Sequence, residues 1–201
     1  MNLLFKIFNR IQRYSARCRS VWNRQWFLIT ETPGHRKIDL GKGVIFHVPV
    51  SGGGRGTIQV GDNTNFGFRQ AGRLGNGGIL LQARAPEAEI IIGRDNWLNN
   101  NTSLCAMQSI RIGNLCRIGD FVAIMDADFH EINPSTRNRS VGTIKPVTIG
   151  NNVWIGSRVM VLKGASIGDN SVIAAMSVVT SDIPPNCIAA GIPAKVIRKI
   201  E

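Results

Sequence analysis

Long apolar runs are absent from this chain, and without them no segment approaches the length of a helical membrane span. Cysteine is scarce and unpatterned. Cys18, Cys105, Cys116 and Cys187 show no CxxC spacing, which disfavours zinc and disulfide frameworks. Arginines break every apolar stretch near the start, so no secretory h-region is evident and reduced thiols in a cytosol are expected. Only three histidines occur, His35, His47 and His130. They are too scattered for a zinc centre built from three imidazoles, and no metal is expected. There is no GxxxxGK[ST] run, and Gly52-Gly53-Gly54 precedes no helical pattern, which disfavours a phosphate loop. Acids are also few, 13 Asp and Glu against 24 Lys and Arg in 201 residues.

The resulting net charge of +11 is unevenly placed. Lys6, Arg10, Arg13, Arg17, Arg19 and Arg24 give residues 1–28 a charge of +6 with no acid among them. That asymmetry points to a cationic leader rather than a nucleic-acid binder. Within residues 2–28, Leu4, Ile7, Phe8, Ile11, Tyr14, Cys18, Trp22 and Trp26 recur at three- and four-residue steps, which predicts an amphipathic helix over 1–30. Two roles are open to it. It can lie across the open end of a repetitive core, or it can rest on an anionic membrane surface with Trp22 and Trp26 at the interface. Thr32-Pro33-Gly34 ends it.

What the rest of the chain has in abundance is a period of six. Ile149, Ile155, Val161, Ile167, Ile173 and Val179 are evenly spaced, and Val153, Val159, Ala165, Ser171 and Ser177 each lie two before one of them. Six matches neither the helical period nor simple strand alternation. It predicts a parallel β-helix of triangular section over residues 31–201, each hexad supplying a short strand and a corner. Weaker repeats run back through Ile110/Ile112, Ile90/Ile92, Ile79/Leu81, Phe66, Ile58/Val60, Phe46 and Ile38/Leu40. Glycine-rich loops are expected at 51–56 and 72–78. The 20 residues from Ile92 to Ile112 exceed three hexads, so a corner should bulge near Ala106–Gln108. Cys116, two before Ile118, is expected to fill the core.

From Asp126 to Pro146 the period fails for about a full turn's worth of sequence. A polar excursion from a regular solenoid is where function is expected, and this one carries His130.

The segment Val147-Thr148-Ile149-Gly150-Asn151-Asn152-Val153-Trp154-Ile155-Gly156-Ser157, the later Asp182-Ile183-Pro184-Pro185-Asn186 and the closing Ala190-Gly191-Ile192-Pro193-Ala194-Lys195-Val196-Ile197-Arg198 resemble the hexapeptide-repeat acyltransferases. The likeness is greatest to the galactoside, maltose and polysaccharide O-acetyltransferase branch. It implies an all-β, left-handed parallel β-helix that assembles as a homotrimer, with acetyl-coenzyme A lying between adjacent subunits. It implies His130 as the catalytic base that takes a proton from a sugar hydroxyl. Asp126, Asp128, Glu131 or a backbone carbonyl would orient the other ring nitrogen. It further implies Asn99 and Trp154 at the acceptor and acetyl group. The coenzyme would be held by Trp154, Ser157, Ala175, Thr180, Ser181, Lys195 and Arg198, with the Ser157 amide as oxyanion donor.

Two departures bear on the acceptor. The helical substrate domain of the maltose and galactoside enzymes is replaced by the basic helix, and Ala106-Met107-Gln108 lacks an acid expected to bind acceptor. The expectation is therefore O-acetylation of a surface polysaccharide or its lipid-linked precursor by a cytoplasmic protein that can touch the inner face of the membrane. N-acetylation of a nucleotide-linked amino sugar is the alternative.

Overall fold

The computed structural model describes residues 3–34, 37–71 and 75–201, with side chains described from residue 14 onward. His35, residues 72–74 and the side chains of Leu4, Ile7, Phe8 and Ile11 lie outside the described residues.

The hexads wind into a left-handed parallel β-helix with three flat faces. The first face stacks β1 (Lys37–Leu40), β4 (Thr57–Val60), β7 (Glu89–Ile92), β10 (Ser109–Ile112), β13 (Val147–Ile149) and β16 (Ser166–Ile167). The second stacks β2 (Ile45–Phe46), β5 (Asn65–Phe66), β8 (Trp97–Leu98), β11 (Arg117–Ile118), β14 (Trp154–Ile155) and β17 (Val172–Ile173), then β19 (Cys187–Gly191) and β20 (Ala194–Lys199). The third stacks β3 (Val50–Ser51), β6 (Ile79–Ala83), β9 (Ser103–Ala106), β12 (Ala123–Met125), β15 (Met160–Val161) and β18 (Val178–Val179). Every pair is parallel except β19 with β20, a hairpin that closes the last coil.

The period of six works because two positions in each hexad point inward. Ile149, Ile155, Val161, Ile167, Ile173 and Val179 are buried, and so are Val153, Val159, Ala165, Ser171 and Ser177. The two serines are satisfied. Ser171 Oγ donates to the Pro184 carbonyl at 2.7 Å, and Ser177 Oγ accepts the Gly191 amide at 3.1 Å. Cys116 is fully buried beside Ile118, and burial raises its thiol pKa.

At many corners, three positions before an inward aliphatic, the chain turns through one residue in the left-handed region. Asp95, Leu115, Asn152 and Asn170 do so between the first and second faces, and Asn101, Phe121, Arg158 and Met176 between the second and third. Asn and Asp tolerate this φ, whereas Leu115, Phe121, Arg158 and Met176 are held there by the coils on either side. The coils approach so closely that a Cβ on Gly156 would stand 2.6 Å from the Ala175 amide nitrogen.

The helix α1 (Leu3–Glu31) ends one residue past the expected span of 1–30. Its packed face is not the apolar stripe of the sequence. Phe27 enters the core and starts a ring ladder, 5.5 Å to Phe46 and a further 5.1 Å from Phe46 to Phe66. Ser20 Oγ accepts the Phe46 amide, and Asn23 donates to the Phe46 carbonyl. Two short polar side chains thus complete the hydrogen bonds that the outermost strand, β2, would otherwise offer to water. Glu31 accepts the Gly53 amide at 2.6 Å. Tyr14, Trp22 and Trp26 instead face solvent, with the two indoles stacked at 6.0 Å.

Candidate active site

Between β12 and β13 the chain leaves the solenoid at the corner joining the third face to the first. The exit is set by Asp126, which is fully buried. Its carboxylate accepts the amides of Met107, Gln108 and Ser109, each at 2.7 Å. These amides belong to the corner expected to bulge, and the carboxylate fills the gap left by its extra residues. The two strands of the excursion then pair briefly. Ala127 bridges Ile144 in antiparallel fashion, and the Asp128 amide donates to the Thr143 carbonyl at 3.1 Å. Asp128 forms an ion pair with Lys163. Phe129, at φ 62°, lies 4.2 Å beneath the Arg84 guanidinium.

These contacts present His130 to solvent. Its Nδ1 lies 3.3 Å from the Arg137 carbonyl oxygen, which can only accept, so Nδ1 donates and, in the neutral ring, Nε2 carries the lone pair. Of the orienting groups expected, the backbone carbonyl fills the position. Asp126 and Asp128 are engaged elsewhere, the first with the bulged corner and the second with Lys163.

Asn99 and Trp154 lie on the second face, where a cleft of about 300 Å³ is lined by both and by Phe68, Trp97, Arg117, Ile118 and Gly119. Strand register explains the grouping: Trp97, Arg117 and Trp154 are stacked partners on successive coils, all pointing outward. Phe68 meets Trp97 edge-on at 6.0 Å, and Arg117 is steadied by the Asp95 carbonyl at 2.9 Å. Phe68, Trp97 and Arg117 were not singled out from the sequence. Trp97 and Arg117 share with Trp154 the place one residue before an inward aliphatic, Leu98, Ile118 and Ile155, which was the available signal for those two.

In a three-sided prism, the corner bearing the loop stands opposite the second face. One chain therefore does not bring His130 to Asn99 and Trp154. The residues expected to hold the coenzyme divide in the same way. Ser157 and Ala175 stack on successive coils at the corner between the second and third faces, where the Ser157 hydroxyl donates to Asp120. The Ser157 amide has no acceptor among the described residues. Thr180 and Ser181 are exposed at the corner between the third face and the first, where the loop also departs. Lys195 and Arg198 are exposed on β20, on the second face. Among the described residues no group of three His, Cys, Asp or Glu could hold a metal ion.

A family model described as bacterial transferase hexapeptide (six repeats) matches residues 146–181. The galactoside O-acetyltransferase of Escherichia coli K12 is 43% identical over 113 residues, 56% of this chain and 55% of that protein. A protein of Schizosaccharomyces pombe, named as an acetyltransferase, is 38% identical over 143 residues, 66% of this chain and 69% of its own length. Among solved structures, a galactoside acetyltransferase in complex with coenzyme A superposes with a TM-score of 0.54 at 31% identity, covering 83% of this chain and 66% of that one. The chain thus spans about half the length of several of the curated relatives it matches. The stacked hexads, the matched family model and a relative covered over more than two thirds of its length agree, and the chain belongs to the bacterial hexapeptide-repeat transferase family.

Proposed function

We propose that this protein is an acetyl-coenzyme A-dependent O-acetyltransferase whose acceptor is a sugar hydroxyl of a surface polysaccharide or its precursor. The observation that carries the reading is the imidazole of His130, exposed on its loop with Nδ1 committed to the Arg137 carbonyl and Nε2 left to accept a proton. Acetyl-coenzyme A would supply an acetyl thioester. His130 would draw the proton from the acceptor hydroxyl as its oxygen bonds to the acyl carbon, and return it to the departing thiol as the C–S bond breaks. The unpartnered Ser157 amide suits the negative charge that grows on the acyl oxygen. Lys195 and Arg198 offer cations for the coenzyme phosphates.

The division of these residues between opposite sides of the prism supports a homotrimer. One subunit would offer the loop corner with His130, Thr180 and Ser181. Its neighbour would offer the second face with Asn99, Trp154, Ser157, Ala175, Lys195 and Arg198. The outward Trp22–Trp26 stack, on a helix rich in arginine, supports contact with an anionic membrane from the cytoplasmic side.

His130→Ala is expected to lower kcat for acetyl transfer by about 10²–10⁴ while coenzyme A affinity and subunit assembly persist. Turnover within threefold of the wild type would overturn the assignment. Free sugars, nucleotide-linked amino sugars and polysaccharide, run side by side, separate O- from N-acetylation.

A further inference from the structure

A second cavity, of about 560 Å³, opens between α1 and the first coil. That volume falls in the range of roughly 300–1,000 Å³ common for small-molecule sites. Its floor is apolar, from Ala16, Val21, Val44 and Ile45, and Arg17, Ser20, Arg24, His47 and Arg69 complete the described lining with no carboxylate among them. Arg17 and Arg24 are two helical turns apart on one flank of α1, and no acid among the described residues pairs with either. A guanidinium fork beside an apolar floor suits a phosphate joined to a hydrocarbon chain. Among the described residues, the ring in the lining is His47, which is already stacked on Trp97 at 6.0 Å and 7°. A nucleoside base therefore has no free aromatic face to meet here.

That stack also links the cavity to the acceptor cleft, because Trp97 is one of the residues lining the cleft. We propose that the cavity binds the phosphate and adjoining hydrocarbon of a lipid-linked glycan, so that its sugar reaches past His47 and Trp97 to Asn99. The idea rests on the acetyltransferase reading for the meaning of the cleft, but the site itself is tested without turnover.

The experiment titrates the full chain with farnesyl phosphate by calorimetry, with farnesol, inorganic phosphate and uridine diphosphate as separate arms. Farnesyl phosphate should bind once per chain, and each of the other three at least about tenfold more weakly. The double variant Arg17→Gln/Arg24→Gln should weaken farnesyl phosphate binding by at least about tenfold, since two charge-assisted contacts are removed. Val21→Glu, which brings a carboxylate to the same lining from an exposed position, should do likewise if the double variant fails to fold by circular dichroism. Equal affinity for inorganic phosphate or uridine diphosphate, or wild-type affinity in the folded variants, overturns the proposal. Failure here alongside acetylation of free sugars would remove the lipid site and leave the enzyme reading standing. Binding without any acetyl transfer would do the reverse.

Discussion

Asp126→Ala is the substitution whose consequences the structure specifies most fully. It removes one fully buried carboxylate and strands three backbone donors, on Met107, Gln108 and Ser109, in the turn behind the His130 loop. Each stranded donor costs about 1–3 kcal/mol, and hydrogen bonds to a charged acceptor fall in the upper part of the usual range. The three losses are not additive, because water can enter the vacated corner, so the net expectation is about 3–5 kcal/mol. Urea unfolding followed by far-ultraviolet circular dichroism measures it. The loop exits through the same residue, so kcat should fall by roughly 10- to 100-fold through misplacement of His130. Coenzyme A affinity should change little, because none of the residues expected to hold it is a hydrogen-bond partner of the Asp126 carboxylate. Asp126→Asn keeps one acceptor oxygen and should lie between wild type and Asp126→Ala in both measurements. The rival explanation, that Asp126 orients the imidazole directly, predicts a loss of activity with stability preserved. A destabilisation below 1 kcal/mol in Asp126→Ala would refute the account of this carboxylate as the clamp of the bulged corner.

Four further outcomes follow from the packing. Phe27→Ala should destabilise the protein by about 3–5 kcal/mol and lower the urea m-value if α1 detaches, because Phe27 heads the ring ladder over Phe46 and Phe66; a change under 1 kcal/mol would show that the ladder ends at Phe46. Of the four thiols, the exposed Cys18 alone should react quickly with a chromogenic disulfide at pH 8, because Cys105, Cys116 and Cys187 are buried. Burial raises the folded pKa of Cys105 and Cys116 above 9.0, so the unfolded chain loses those protons first and stability should decline only as pH climbs through about 9. Trp22→Gln/Trp26→Gln should reduce sedimentation with anionic vesicles at least fivefold without altering the melting temperature by more than about 2 °C, since both indoles face outward; deletion of the whole helix is a poorer test, because it also uncovers Phe46.

The solenoid was legible from its period because each hexad repeats one local decision, two inward side chains and one turn. Even weak repeats such as Phe46, Ile58 and Phe66 fall on buried positions. The helix was legible in extent but not in facing. A hydrophobicity pattern points the large apolar residues inward, yet the edge of β2 offers backbone polar groups, which Ser20 and Asn23 meet better than Trp22 and Trp26 can. In the loop, the sequence marks His130 by its place in a gap. It does not show that Asp126 is occupied by amides some twenty residues earlier, because that partnership exists only once the coils stack. Phe68, Trp97 and Arg117 were hidden for the same reason: they converge through register, and register is a property of coils rather than of neighbours in sequence.

Parallel coils are in principle indefinite, since every coil presents on its top face what it received on its bottom. This chain ends both ways with elements that do not repeat, α1 over β2 at one end and the antiparallel hairpin β19–β20 at the other. On the second face, a second chain approaching either end would find helix side chains over β2 or the reversed strand β20 instead of a free parallel edge. That face of the solenoid is thereby terminated at both ends, which works against the polymer implied by its own repeat, an end-to-end cross-β fibre.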